Sequence, residues 1–188
     1  FNTFYIQAAS GTSGGSSGSP VVDVDGNAVA LNAGGSAQAA SSFFLPLERV
    51  RRVVDIIRGD GLVTRGTLMT IFGHTSYGEL RRLGLTEDIE ARARAAQPDQ
   101  TGMLVVQQVV PGSPAQNKLE PGDILIAVNG GLITRFAALE SLLDDAVGDN
   151  VTVEVQRGGE RFGFTLDVID LHAITPAAFL EISDAVLH

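Results

Sequence analysis

The stretch Thr101–Gly131 reads TGMLVVQQVVPGSPAQNKLEPGDILIAVNGG and leaves little freedom in how it folds. Met103–Val110 is apolar and rich in β-branched residues, which predicts a strand. Pro111-Gly112 breaks that strand. Ser113 is placed to cap a short helix that opens with Pro114 at its first position. Pro121-Gly122-Asp123 predicts a turn into a second buried strand, Ile124–Val128, and Asn129-Gly130 is a dipeptide that accepts the positive φ angles of a tight hairpin.

The sequence on either side supplies what these two strands pack against. Thr134–Ala146 predicts a helix with Phe136, Leu139, Leu142, Leu143 and Ala146 on one broad apolar arc. Val151–Gln156 and Arg161–Val168 alternate as strands around the turn Gly158-Gly159. Upstream, Tyr77–Leu85 predicts a short helix ending at Gly84. Thr86 then caps a second helix that runs to Ala96, with Glu87 and Asp88 in its first turn and Pro98 beyond its end. The order strand, PGSPA, short helix, GDIL, strand, NG resembles the centre of a PDZ domain.

The first sixty residues carry a different pattern. Phe1–Gln7 is aromatic and β-branched, a strand. Ala8–Ser19 (AASGTSGGSSGS) has the composition of a flexible linker. Pro20–Asn32 follows it directly, however, and predicts a hairpin of strands Val21–Val24 and Ala28–Leu31 about Asp25-Gly26, which a linker has no use for. Phe43–Leu47 predicts a short strand. Pro46–Arg58 predicts an amphipathic helix with Leu47, Val50, Val53, Val54 and Ile57 on one stripe and Arg49, Arg51, Arg52 and Arg58 toward water. Gly59-Asp60-Gly61 stops it and marks a domain boundary.

Ile6–Asn32 is similar to the nucleophile region of the HtrA family of trypsin-like serine proteases, whose glycine-flanked serine and following hairpin align here without a gap. The resemblance puts the catalytic nucleophile on Ser17 and an oxyanion hole on the backbone N–H groups of Gly15 and Ser17. The chemistry explains the composition. A hydroxyl must project from a tight turn beside a base, and the developing oxyanion needs two donors that no side chain crowds. Gly14, Gly15 and Gly18 allow the main chain to bend that way. Ser19 and Ala9 depart from the family pattern, which has Gly and Asp there. The GSSGSP form is closer to one branch, fungal nuclear proteases linked to cell death.

By the same resemblance, Asn32–Ser42 is the loop and wall of the substrate pocket, with Asn32, Ala33, Gly34 and Gly35 holding substrate main chain. Thr64–Phe72 (TRGTLMTIF) occupies the place of the HtrA PDZ carboxylate-binding loop. Arg65, Gly66 and Leu68 match it, while Thr67 replaces an aromatic and Met69 a glycine. The implied peptide groove is Arg65, Gly66, Leu68, Met69, Thr70 and Ile71, faced by Phe136, Leu139 and Leu143. A free terminus, an internal peptide and a segment of the same protein all remain open as its ligand.

The expected fold is mainly β with helices, an α+β chain. Residues 1–60 are the C-terminal part of a trypsin-like β-barrel and 61–168 an HtrA-type PDZ domain. Residues 169–188 link onward, with a helix starting at Thr175-Pro176. The family order His, Asp, Ser places the first two before Phe1, so the chain is read as an inactive piece of a serine endopeptidase. The alternative is a non-catalytic PDZ scaffold. The resemblance implies polypeptide substrates, a peptide ligand, homo-oligomers of the full-length protein, nuclear location and no cofactor. The formal net charge of −9 argues against nucleic acid as a partner. No apolar run is long enough to span a bilayer. There is no cysteine, and His74, His172 and His188 lack metal-ligand spacing, so no metal site is expected.

Overall fold

A computed structural model describes residues 5–36, 41–176, 178, 180–182 and 185–187. The chain divides into two compact units, Phe1–Val63 and Thr64–His188.

The first unit contains four antiparallel strands, β1 (Ile6–Ala8), β2 (Pro20–Val22), β3 (Ala28–Ser36) and β4 (Ser41–Pro46), and helix α1 (Leu47–Arg58). Their order across the sheet is β1-β4-β3-β2. The β2–β3 turn is held by Asp23, whose carboxylate accepts the Asp25 and Asn27 N–H groups, both at 2.9 Å. This Asx turn ends β2 at Val22, two residues before the predicted end. Phe1–Phe4 of the predicted first strand lie outside the described residues. In α1 the stripe of Leu47, Val50 and Val53 is half-buried, while Val54 and Ile57 are exposed. Arg51 and Arg58 are exposed as expected, but Arg49 and Arg52 are half-buried. The helix ends with the Gly61 N–H returning to the Ile56 carbonyl at 2.9 Å. The residue in the left-handed region there is Asp60 (φ 54°), not either flanking glycine.

The second unit is built on an antiparallel sheet of β6 (Thr70–Ser76), β7 (Gly102–Val109), β8 (Ile124–Val128), β10 (Asn150–Arg157) and β11 (Glu160–Asp167), with β9 (Gly131–Leu132) pairing on β8. The path is β11-β10-β8-β7-β6, which leaves β6 at an edge. Helices α2 (Tyr77–Arg82) and α3 (Glu87–Ala96) cover one face, and α4 (Phe136–Asp145) the other. Met103, Val105, Ile124 and Ile126 pack with Tyr77, Leu80 and Ile89. Leu104, Val106 and Leu125 pack with Leu139 and Leu143. Two covered faces explain why β7 and β8 are continuous apolar runs rather than alternating ones.

Three local readings change. Ser113–Leu119 forms successive turns rather than a helix, and the buried Ser113 hydroxyl has no partner among the described residues. Its bonds are mostly of i→i+3 type, such as the Gln116 N–H to the Ser113 carbonyl. Thr86 occupies the N-cap of α3 but makes no capping bond. Its N–H and hydroxyl are bonded instead to the side chain of the buried Gln156. At the C-terminal end, α5 (Leu171–Ile174) precedes Thr175-Pro176 instead of starting there, because proline disfavours helical backbone in the residue before it. Short strands β5 (Gly66–Thr67) and β12 (Ile169–Asp170) pair with each other as a separate two-stranded sheet, so strand pairing resumes past Val168. β13 (Leu180–Ile182) and β14 (Ala185–Leu187) form a separate hairpin.

Glu90 joins α2 to α3. It is nearly buried and takes Arg81 at 2.6 and 2.8 Å and Arg94 at 2.8 Å. The hydrogen bond from Arg81, opposed by burial and reinforced by Arg94, holds its carboxyl below the ordinary glutamate value. A depressed folded-state pKa gives stability that is complete above the unfolded value and lost as pH falls through the folded one. Urea midpoints are therefore expected to drop from pH 6 to pH 3. Glu90→Gln should lower stability at pH 6 by about 1–3 kcal/mol and flatten part of that slope.

Candidate functional sites

Residues 9–19 form two successive turns between β1 and β2. Gly15 (φ 90°) and Gly18 (φ 83°) take the left-handed conformations that residues with a Cβ avoid. The Ser16 hydroxyl donates to the Ser13 carbonyl at 2.7 Å, and the Ser19 hydroxyl donates to the Ser16 carbonyl at 2.6 Å. Ser17, between them, is exposed, and its hydroxyl has no hydrogen-bond partner among the described residues. The N–H groups of Gly15 and Ser17 likewise have no acceptor among the described residues. Within Ser16–Ser19 the Ser17 hydroxyl is thus the one left unbonded among the described residues, although the Ser10, Thr12 and Ser13 hydroxyls earlier in the segment are also without partners there.

Asn32 fastens this turn. Its Nδ2 donates to the Ser16 carbonyl at 3.0 Å and to the Ser16 hydroxyl oxygen at 2.8 Å. Its N–H donates to the Ser19 carbonyl at 2.9 Å, and its carbonyl accepts the Gly18 N–H at 2.7 Å. The sequence put Asn32 in a pocket wall, and nothing in its spacing pointed to this bracing role. Ala33, Gly34 and Gly35 are not in a loop as expected, because β3 runs on through Ser36. Residues 37–40 of the expected loop lie outside the described residues. Gly34 and Gly35 pair with Phe43 and Ser42 of β4. On the other side of β3, the pairing with β2 ends at Leu31, so Ala33–Ser36 present an unpaired edge among the described residues. Gly35 packs closely: an added Cβ would lie 2.7 Å from the Thr12 hydroxyl oxygen and 2.8 Å from the Ser41 carbonyl.

In the second unit, Arg65–Ile71 leads into the open edge of β6. The Gly66 N–H donates to the Asp144 carboxylate at 2.9 Å, and the Thr64 hydroxyl donates to the Asp144 carbonyl at 2.9 Å. Arg65 lies 3.5 Å from Asp144 and 3.7 Å from Glu140. Leu68 is buried in the core. Met69 adopts φ 50°, a conformation costing a side-chain-bearing residue roughly 1 kcal/mol, and its N–H donates to the Thr67 hydroxyl oxygen at 2.9 Å. Thr70 is half-buried and Ile71 exposed.

Across from this loop, Leu139 and Leu143 are 1% and 2% exposed. Like Leu68 at 2%, they are packed into the core and present almost no surface to a ligand in this structure. Phe136 is half-buried against that core. The arc read as wholly apolar has two buried carboxylates beside it, Glu140 and Asp144, and these set the position of the loop. An acidic residue within an apolar arc was the available signal.

A PDZ domain family model matches residues 105–157. The chain is 52% identical to Protease Do-like 7 of Arabidopsis thaliana over 199 residues, covering 100% of this chain and 18% of that protein. It is also 52% identical over 189 residues to Pro-apoptotic serine protease NMA111 of Phaeosphaeria nodorum, covering 100% and 19%. The chain thus spans less than a fifth of the length of these relatives. Among solved structures, HtrA-type protease AlgW with a tripeptide superposes with a TM-score of 0.59 at 23% identity, over 88% of this chain and 52% of that one. AlgW with a decapeptide gives 0.52 at 22% identity, over 80% and 44%.

The fold class is that of HtrA proteases, mainly β with helices and including a PDZ domain. Over its whole length the chain is similar in sequence to the plant Do-like 7 and fungal NMA111 proteases. Among the described residues, no helix is long and apolar enough to cross a membrane.

Proposed function

We propose that this chain supplies the nucleophile turn and a peptide-docking PDZ domain to an HtrA-like serine endopeptidase acting in protein quality control or pro-apoptotic proteolysis. Residues 1–60 serve as the end of the protease domain, 61–168 as the PDZ domain, and the remainder as a link. Ser17 attacks the scissile carbonyl, and the Gly15 and Ser17 amides take the oxyanion. The open edge at Ala33–Ser36 pairs with substrate main chain. The single observation that carries this reading is that Ser17, unlike Ser16 and Ser19, keeps its hydroxyl unbonded, and the Gly15 and Ser17 amides are likewise unbonded among the described residues. The names of the fungal relatives support the link to cell death. Nuclear location and homo-oligomeric assembly of the longer protein complete the proposal.

Residues 1–63 contain no histidine, so the base that activates Ser17 comes from other sequence, and we place the His and Asp upstream. The 188-residue chain should therefore show no labelling by a fluorophosphonate probe and no cleavage of casein. A longer protein that includes the upstream His and Asp should label at Ser17, and Ser17→Ala should lower its turnover by about 10⁴-fold or more. Strong labelling of the 188-residue chain overturns the division of the triad. Full activity of the Ser17→Ala longer protein overturns the nucleophile and leaves a PDZ scaffold.

A further inference from the structure

We infer that the β6 groove takes an extended segment from within a polypeptide, continuous at both ends, rather than a free C-terminus. The inference rests on reading β6 and its preceding loop as a peptide site. Capture of a terminal carboxylate requires several backbone N–H groups left unpaired in one concavity, with no competing anion beside them. This loop has spent two of those groups and has carboxylates beside it.

Two of its donors are already occupied. The Met69 N–H, at the position where the loop turns through φ 50°, donates to the Thr67 hydroxyl oxygen, and Thr67 is only 6% exposed. The Gly66 N–H donates to the Asp144 carboxylate. The loop's cation is no freer, since Arg65 faces both Asp144 and Glu140. One guanidinium lies 3.5 and 3.7 Å from two buried carboxylates, so two acidic groups already flank the loop before any ligand arrives. A carboxylate docking there meets repulsion where a peptide carbonyl, being neutral, does not.

The edge itself asks for no terminus. β6 has seven residues, Thr70–Ser76, and its outer side has no strand partner among the described residues. Strand addition along such an edge uses main-chain hydrogen bonds that any extended segment supplies. Exposed Ile71 and His74 and half-buried Phe72 give the incoming segment side chains to read.

The test selects random decapeptides against the 188-residue chain from two phage libraries, one displayed with a free C-terminus and one fused at both ends. The best binder is then made as the free acid, as the C-terminal amide, and with three residues appended after it. Fluorescence anisotropy should give dissociation constants within about threefold of one another for all three forms, and amide shifts should map to Thr70–Ser76. Thr67→Val removes the acceptor while keeping the shape, freeing the Met69 N–H. It should raise the preference for acid over amide to about tenfold.

Weakening of wild-type binding by tenfold or more on amidation or extension overturns the inference while leaving the peptide site intact. An unchanged acid-to-amide ratio in Thr67→Val overturns the masking role given to Thr67. If neither library yields a binder, or the shifts map elsewhere, the peptide-site reading itself falls, and the inference with it.

Discussion

Gly66→Ala is expected to destabilise the second unit by about 3 kcal/mol or more and to abolish peptide binding at β6. A Cβ at Gly66 would lie 1.9 Å from the Leu143 carbonyl oxygen, 2.2 Å from the Leu143 carbonyl carbon and 2.8 Å from the Asp144 nitrogen. All three are backbone atoms of α4, which cannot swing aside as a side chain can. Relief requires the loop to leave the helix, which breaks the Gly66–Asp144 bond and the β5–β12 pairing in the same movement. Gly73→Ala is the matched control. Its Cβ would also clash, at 2.0 Å, but with the far end of the Gln107 side chain, which can rotate away. Chemical denaturation should show a loss of under ~1 kcal/mol for Gly73→Ala. Equal losses for the two would mean that the helix, not the glycine, yields.

Asp123→Ala should be nearly as damaging. Asp123 is fully buried and receives Arg157 through two bonds, at 2.6 and 2.8 Å, and the Glu120 N–H at 2.9 Å. Arg157 also donates to the Lys118 carbonyl at 2.9 Å and to Glu120 at 2.8 Å. This one pair therefore ties the Glu120–Asp123 turn to the end of β10. Removing Asp123 takes two bonds from Arg157, leaves it the rim contact with Glu120 and the Lys118 carbonyl, and strands the Glu120 N–H, at a cost of about 3 kcal/mol. For a unit of this size that lowers the melting temperature by roughly 10–20 °C. The double variant Asp123→Ala/Arg157→Met should recover part of the loss, since methionine needs no polar partner beside the emptied site. If the double variant is less stable than the single one, packing rather than charge governs this corner.

Much of the PDZ core was legible because its sequence signals agree. The Asn129-Gly130 dipeptide takes positive φ at both positions, 49° and 76°, and the predicted β8 matches the observed Ile124–Val128 residue for residue. What stayed hidden were contacts between residues far apart in the chain. Thr86 has the composition of a cap, but a buried glutamine seventy positions away claims its hydroxyl. Leu139 and Leu143 lie on the apolar arc, but periodicity does not say which part of an arc meets the sheet and which a ligand. Family resemblance was what singled out Ser17. The satisfaction of Ser16 and Ser19 that sets it apart appears only once the turn is closed.

The clasp at Asn32 has a mechanical consequence. Asn32 is a member of β3, with Phe44 opposite it, and also the anchor of the turn that presents Ser17. No spacer separates the two duties. A pull on the strand at Ala33 is transmitted to Ser16 through a single residue, so the attitude of the hydroxyl at position 17 cannot be retuned without disturbing β3. Changes in what lies along that strand would therefore register at the serine directly, with no moving loop to relay them.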